Sequence, residues 1–103
     1  MCDMQVNQVN FDHSRIAGIC QRYHARRLSL FGSILRDDFR HDSDVDMLVE
    51  FDPDAKVSLF DLGGMLMELQ ATVGREVDLR TPRDLSRYFR DEVVRSARTL
   101  YAA

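Results

Sequence analysis

A chain of 103 residues that is 45% hydrophobic and 30% charged has the makeup of one globular domain, which excludes wholesale disorder and leaves little room for a second, substrate-binding domain. Its net charge is −3 but unevenly spread: residues 1–41 carry six Arg against four Asp, residues 42–74 eight acids against Lys56, and residues 75–103 seven Arg against five acids. An acidic centre suits metal binding and argues against docking on a polyanion, so no direct nucleic-acid binding is expected.

The Arg-rich flanks read first as solvated helix surface. There is no run of 18 apolar residues, no signal-peptide pattern and no internal repeat. A cytoplasmic protein without a membrane segment is therefore the expectation. Cys2 and Cys20 lack metal spacing and read as reduced thiols, Cys20 on the apolar side of a helix.

Met1 to Asn10 has a weak pattern and is expected to fray as a flexible N-terminus, leaving residues 11–103 as a single domain. Asp12 can cap a helix to about His24, in which Ile16, Ile19, Cys20 and Tyr23 share one face. Arg26 to Phe31 predicts a first strand, and Gly32-Ser33 opens a short helix to about Arg40. After a turn at His41 to Ser43, a second strand runs from Asp44 to Phe51 and ends before Asp52-Pro53-Asp54. A longer helix spans about Ser58 to Thr72, with Leu59, Leu62, Leu66, Leu69 and Val73 as its buried stripe and Gly74 as C-cap. Gly63-Gly64 inside it costs about 1 kcal/mol per residue in helix propensity, which close packing or a kink would explain.

Arg75 to Arg80 predicts a third strand. Thr81-Pro82 then starts one or two helices to Tyr101, with Leu85, Tyr88, Phe89, Val93, Val94, Ala97 and Leu100 as the apolar set. Met47, Met65 and Met67 read as core filler. The order αβαβαβα with short connections predicts an α/β sandwich on a small sheet. If the end of the first strand and the start of the second touch one ligand, those strands run antiparallel and the sheet is mixed.

The chemistry concentrates between Leu28 and Phe51. Gly32-Ser33 at a helix start offers backbone N–H groups and a hydroxyl to an anion, and Arg36 lies one turn further on. Asp44 and Asp46 stand two apart in a strand, so both point to one face. Two such carboxylates repel, and a divalent cation is the usual remedy. Asp78 adds a third carboxylate in mid-strand, where Asp is disfavoured without a role.

Three acids from two strands can hold two Mg²⁺ ions, one activating a hydroxyl and one binding a triphosphate. Asp78 could also accept the hydroxyl proton. An EF-hand is excluded, because Met47 stands where Gly is needed and Pro53 where the closing Glu belongs. His13, His24 and His41 show no ligand spacing, and no Ser-His-Asp or Cys-His grouping suggests a covalent nucleophile.

Gly32-Ser33, ten residues, then Asp44-Val45-Asp46 resembles the GSx10DxD signature of polymerase-beta-like nucleotidyltransferases. More closely, LFGSILRDDFRHDSDVDMLVEF, FDLGGMLMEL, GREVDLRTP and DLSRYFRDEVVRSARTLYA resemble the minimal nucleotidyltransferase (MNT) antitoxins that partner HEPN-domain toxins. The resemblance implies a mixed sheet flanked by helices (an α/β, or α+β, fold), ATP as substrate, Mg²⁺ as cofactor and transfer of AMP with release of pyrophosphate. It implies a tyrosine hydroxyl of a HEPN RNase toxin as acceptor and silencing of that toxin as outcome.

By position, Asp44 and Asp46 would be the shared metal ligands, Asp78 the third carboxylate, and Gly32 and Ser33 the phosphate holders with Arg36 nearby. Many relatives read GSRARGE where this chain has Ile34 in place of an Arg and Asp37 in place of a Gly. Two other readings stand beside this one. One is a non-catalytic module that blocks its toxin by binding. The other is a transferase acting on a small molecule or RNA end, against which the short chain speaks.

Overall fold

The computed structural model describes residues 4–37, 39–40, 42–85, 87–88 and 90–103; Cys2, Asp38, His41 and Phe89 lie outside the described residues. The chain starts with a hairpin, β1 (Met4–Val6) and β2 (Val9–Phe11), followed by α1 (His13–Arg22) and β3 (Ala25–Phe31). Next come β4 (Val45–Phe51), α2 (Leu59–Val73), β5 (Val77–Arg80), α3 (Arg90–Ser96) and β6 (Arg98–Ala102). Two 3-10 turns, Gly32–Leu35 and Pro82–Asp84, sit between them.

Four strands form one sheet in the order β5-β4-β3-β6. β3 is antiparallel to both β4 and β6, whereas β4 and β5 are parallel. The sheet is therefore mixed, and β3 and β4, the first pair, run antiparallel. Leu28 pairs with Val49 and Leu30 with Met47, so alternate residues of both strands point to one face. That face packs on Ile16, Ile19 and Cys20 of α1 and on Met65 and Leu69 of α2. Asp12 and Ser58 cap those helices as acceptors, the latter in a reciprocal capping box with Asp61. Burial pushes the Cys20 thiol up to about 12, which leaves it a packing residue.

Three expectations are corrected. Residues 1–10, expected to fray, contain the β1–β2 hairpin, whose Val6, Val9 and Phe11 are buried in the core. Asn7 and Gln8 at its two-residue turn have φ of 49° and 68°, the left-handed pair that a type I′ turn uses. The predicted helix to Tyr101 ends at Ser96, and residues 98–102 instead pair with β3. Without them that edge of β3 would be an open row of backbone donors and acceptors. Leu59 and Met67, assigned to the core, are 87% and 71% exposed, and Tyr88, assigned to a packing stripe, is 96% exposed. Met47 and Met65 are fully buried as expected.

The two central glycines of α2 differ. A Cβ on Gly64 would stand 2.9 Å from the Tyr23 hydroxyl, which in turn donates to Glu68 at 2.6 Å. A Cβ on Gly63 would meet nothing within 4 Å. Close packing explains the first and leaves the second without a reason inside the chain.

Candidate active site

Strand alternation sends Asp46, Leu48 and Glu50 to the sheet face opposite α1 and α2. Leu48 is 2% exposed, and the Pro82–Asp84 turn lies against β4 there. Asp46 is the register partner of Asp78 on the parallel neighbour and of Phe31 on the antiparallel one. Gly32 follows Phe31, which brings the Gly-Ser pair beside Asp46. The sheet thus assembles Gly32, Ser33, Asp46 and Asp78 at one end of three adjacent strands, with Asp44 just ahead of β4.

The carboxylates feel one another. Burial first, then the charges of Asp78 and Asp44, push the Asp46 carboxyl above its ordinary value of 3.8. The Ser33 backbone N–H and Arg80 pull it back in part. Asp78 is held by Arg80, whose Nε and Nη2 reach its two carboxylate oxygens at 3.1 and 3.3 Å. Residues two apart on a strand share a face, so this pair forms within β5 itself.

Gly32 is fixed by two demands at once. Its φ is +74°, and a Cβ there would overlap Asp46 Oδ2. The group that approaches this glycine within the chain is thus a catalytic-candidate carboxylate. Gly32→Ala is expected to strain the backbone by about 1–2 kcal/mol and displace Asp46. A lowered Tm together with lost nucleotidyl transfer checks it; transfer at wild-type rate would show that Asp46 tolerates the shift.

The helix expected from Gly32 to about Arg40 is a 3-10 turn of four residues. An anion there would meet a few N–H groups and the Ser33 hydroxyl, with no long helix dipole behind them. Arg36 is exposed and ends the turn, its N–H donating to the Ser33 carbonyl at 2.9 Å. Ile34 is fully buried and belongs to the core.

From this turn to Asp44, four backbone carbonyls are held by two residues from outside, Asn7 and Arg75. The Asn7 side-chain amide donates to the carbonyls of Ile34 and Arg36 at 2.6 and 2.9 Å. Arg75 Nη2 donates to the carbonyls of Arg40 and Ser43, both at 2.8 Å, and its guanidinium lies 4.6 Å from the Phe39 ring centre. A signal for Asn7 exists: Val6-Asn7-Gln8-Val9 is a two-residue turn between strand formers. Arg75 carries no such mark.

The acids offer only oxygen donors, the set that a hard divalent cation takes, and the charges of Asp78 and Asp44 around Asp46 favour positive charge there. Among the described residues no three of His, Cys, Asp or Glu converge closely enough to hold a metal ion. Asp46 lies against the Gly32 turn with Asp44 just ahead of β4, whereas Asp78 is engaged by Arg80.

A family model for the nucleotidyltransferase domain matches residues 13–100. The chain belongs to the nucleotidyltransferase family. It is 32% identical over 94 residues to a Methanocaldococcus jannaschii protein named as a protein adenylyltransferase, covering 91% of this chain and 96% of that one. A solved structure described as a minimal nucleotidyltransferase superposes with TM-score 0.70 at 33% identity, over 82% of this chain and 85% of the other. The fold also matches, with TM-score 0.61 at 18% identity over 88% and 70% of the two chains, a structure of a tri-AMPylated HEPN toxin of Shewanella oneidensis with its MNT antitoxin. This nucleotidyltransferase thus has the expected mixed α/β architecture, and no helix among its described residues is long and apolar enough to cross a membrane.

Proposed function

We propose that this nucleotidyltransferase moves AMP from ATP to a tyrosine hydroxyl of a HEPN-type RNase toxin and thereby silences it. The observation that carries the reading is the placement of Asp46 between Asp78, Asp44 and the Gly32-Ser33 turn. The name of the methanogen relative supports a protein acceptor, and the MNT complex with an AMPylated toxin supports its kind.

In the reaction the hydroxyl oxygen bonds to the α-phosphorus of ATP, the α–β bridging bond breaks, and pyrophosphate leaves. Asp44 and Asp46 would hold Mg²⁺. A Mg²⁺ held there would offset triphosphate charge and favour the ionised hydroxyl. Asp78 would take the hydroxyl proton, which requires its carboxylate to turn from Arg80 to the hydroxyl. Gly32 and Ser33 border the triphosphate with N–H groups and a hydroxyl, and Arg36 supplies positive charge nearby.

Incubation with labelled ATP, Mg²⁺ and a cognate HEPN protein is expected to label the HEPN protein. No label from the wild type, under conditions where the two proteins bind, overturns the reading. One observation favours a binding-only antitoxin: Asp78 is hydrogen-bonded to Arg80 instead of standing open beside Asp46. Rescue of toxin-expressing cells by an Asp44→Asn, Asp46→Asn double variant separates the two. Full rescue supports binding alone, and failed rescue at normal expression supports chemistry.

A further inference from the structure

Helix α2 turns to solvent a face without charge. Phe60, Gly63, Met67 and Ala71 follow one another at helical spacing and are all exposed. Phe60 is 92% exposed and Met67 71%, with Leu59 beside them at 87%. The two acids of α2 lie off this face and are engaged, Asp61 with the Ser58 cap and Glu68 with Tyr23 and Arg22. Large apolar groups left contiguous on a surface mark an interface.

We propose that this face pairs with the same face of a second copy of the chain, helix against antiparallel helix. Its spacing is self-complementary. Gly63 and Gly64 lie midway between Phe60 and Met67, so a copy crossing at the glycines sets each Phe60 on the other copy's Met67. Such a contact repeats itself under a two-fold axis and closes. Gly63 then has a purpose, because the open space above its Cα lets a second backbone approach.

Charge agrees with the pairing. Arg15 and Arg22 of α1 border the groove beside Glu68 and Ala71. An antiparallel two-fold brings these edges together and sets Asp61 of one copy near Arg22 of the other. Area agrees as well. At about 200 Å² for an aromatic side chain and somewhat less for Leu and Met, the three exposed residues present on the order of 500 Å². A stable pair needs about 800 Å² from each partner, and the glycines, Ala71 and the α1 edge adjoin the patch to supply the rest. The acceptor protein is the less suited occupant, because α2 covers the sheet face opposite Asp46 and Asp78. A dimer built on α2 leaves both transfer sites open.

Sedimentation equilibrium of the full chain between micromolar and hundreds of micromolar is expected to show a monomer–dimer equilibrium. Phe60→Glu and Met67→Glu should each weaken it at least tenfold with unchanged circular dichroism, since both side chains are solvent-facing. Oxidation in a Cys2→Ser background tests the geometry. Gly63→Cys should cross-link to itself. Phe60→Cys should not, because two copies of position 60 stand about 10 Å apart along the pair. The Phe60→Cys, Met67→Cys double variant should. A chain that stays monomeric throughout overturns the proposal, as does a dimer indifferent to Phe60→Glu. So does a monomer that loses binding to the acceptor protein when Phe60 is replaced, which would assign the patch to that protein.

Discussion

Asp46→Asn is expected to abolish nucleotidyl transfer and at the same time raise the Tm at neutral pH. The carboxylate is held above its ordinary value by burial and by Asp78 and Asp44. The native state therefore binds its proton more tightly than the unfolded chain does. That contribution to stability is complete below 3.8, the ordinary value, and is lost as pH rises through the raised native value. Above it an ionised Asp46 faces two like charges, which the Asn variant does not. Melting curves from pH 3 to pH 8 should thus show the variant gaining on wild type as pH rises.

A ligand lost from a site that stabilises a transition state by several kcal/mol costs about a thousandfold in rate. Mg²⁺ should raise the Tm of the wild type, as any ligand of the native state does, and leave the variant unmoved. A variant with wild-type transfer, or one stabilised by Mg²⁺ to the same degree, would remove Asp46 from the metal role.

The region from Leu28 to Phe51 was legible because its information is local. Alternation at Val45, Met47 and Val49 fixes the strand and its buried face, and the same alternation fixes where Asp46 points. Asp78 was legible for the same reason. Other features depend on partners far along the chain. Val93, Ala97 and Leu100 fit a helical stripe, yet an edge of β3 is available and recruits residues 98–102 as a strand. Leu59 and Met67 are apolar and helical, but only the fold shows that α1 and the sheet lie on the other side of α2. The short turn after Gly32 could not be read from propensity, because Ile34 is drawn into the core and closes the helix early.

Asn7→Gly should lower transfer by about ten- to a hundredfold while the fold persists. Glycine keeps the left-handed turn, where Asn7 has φ of 49°, so the hairpin register survives. What disappears is the side-chain amide that holds the Ile34 and Arg36 carbonyls. Two hydrogen bonds of about 1 kcal/mol each are a modest loss of stability. Their effect on the site is larger, because a small displacement of a positioned group costs rate out of proportion to stability.

The loss should fall mainly on KM for ATP, since the anchored segment borders the triphosphate in the proposed site and no acid is touched. Asn7→Ala should lose the same rate and melt lower by a further 1–2 kcal/mol, about the cost of a left-handed alanine. Arg75→Lys, which keeps the charge but cannot span the Arg40 and Ser43 carbonyls while stacked on Phe39, should shift KM in the same direction. If Asn7→Gly lowered kcat at constant KM, the anchor would be serving the carboxylates, and the Gly32-Ser33 turn would lose its assignment to the phosphates.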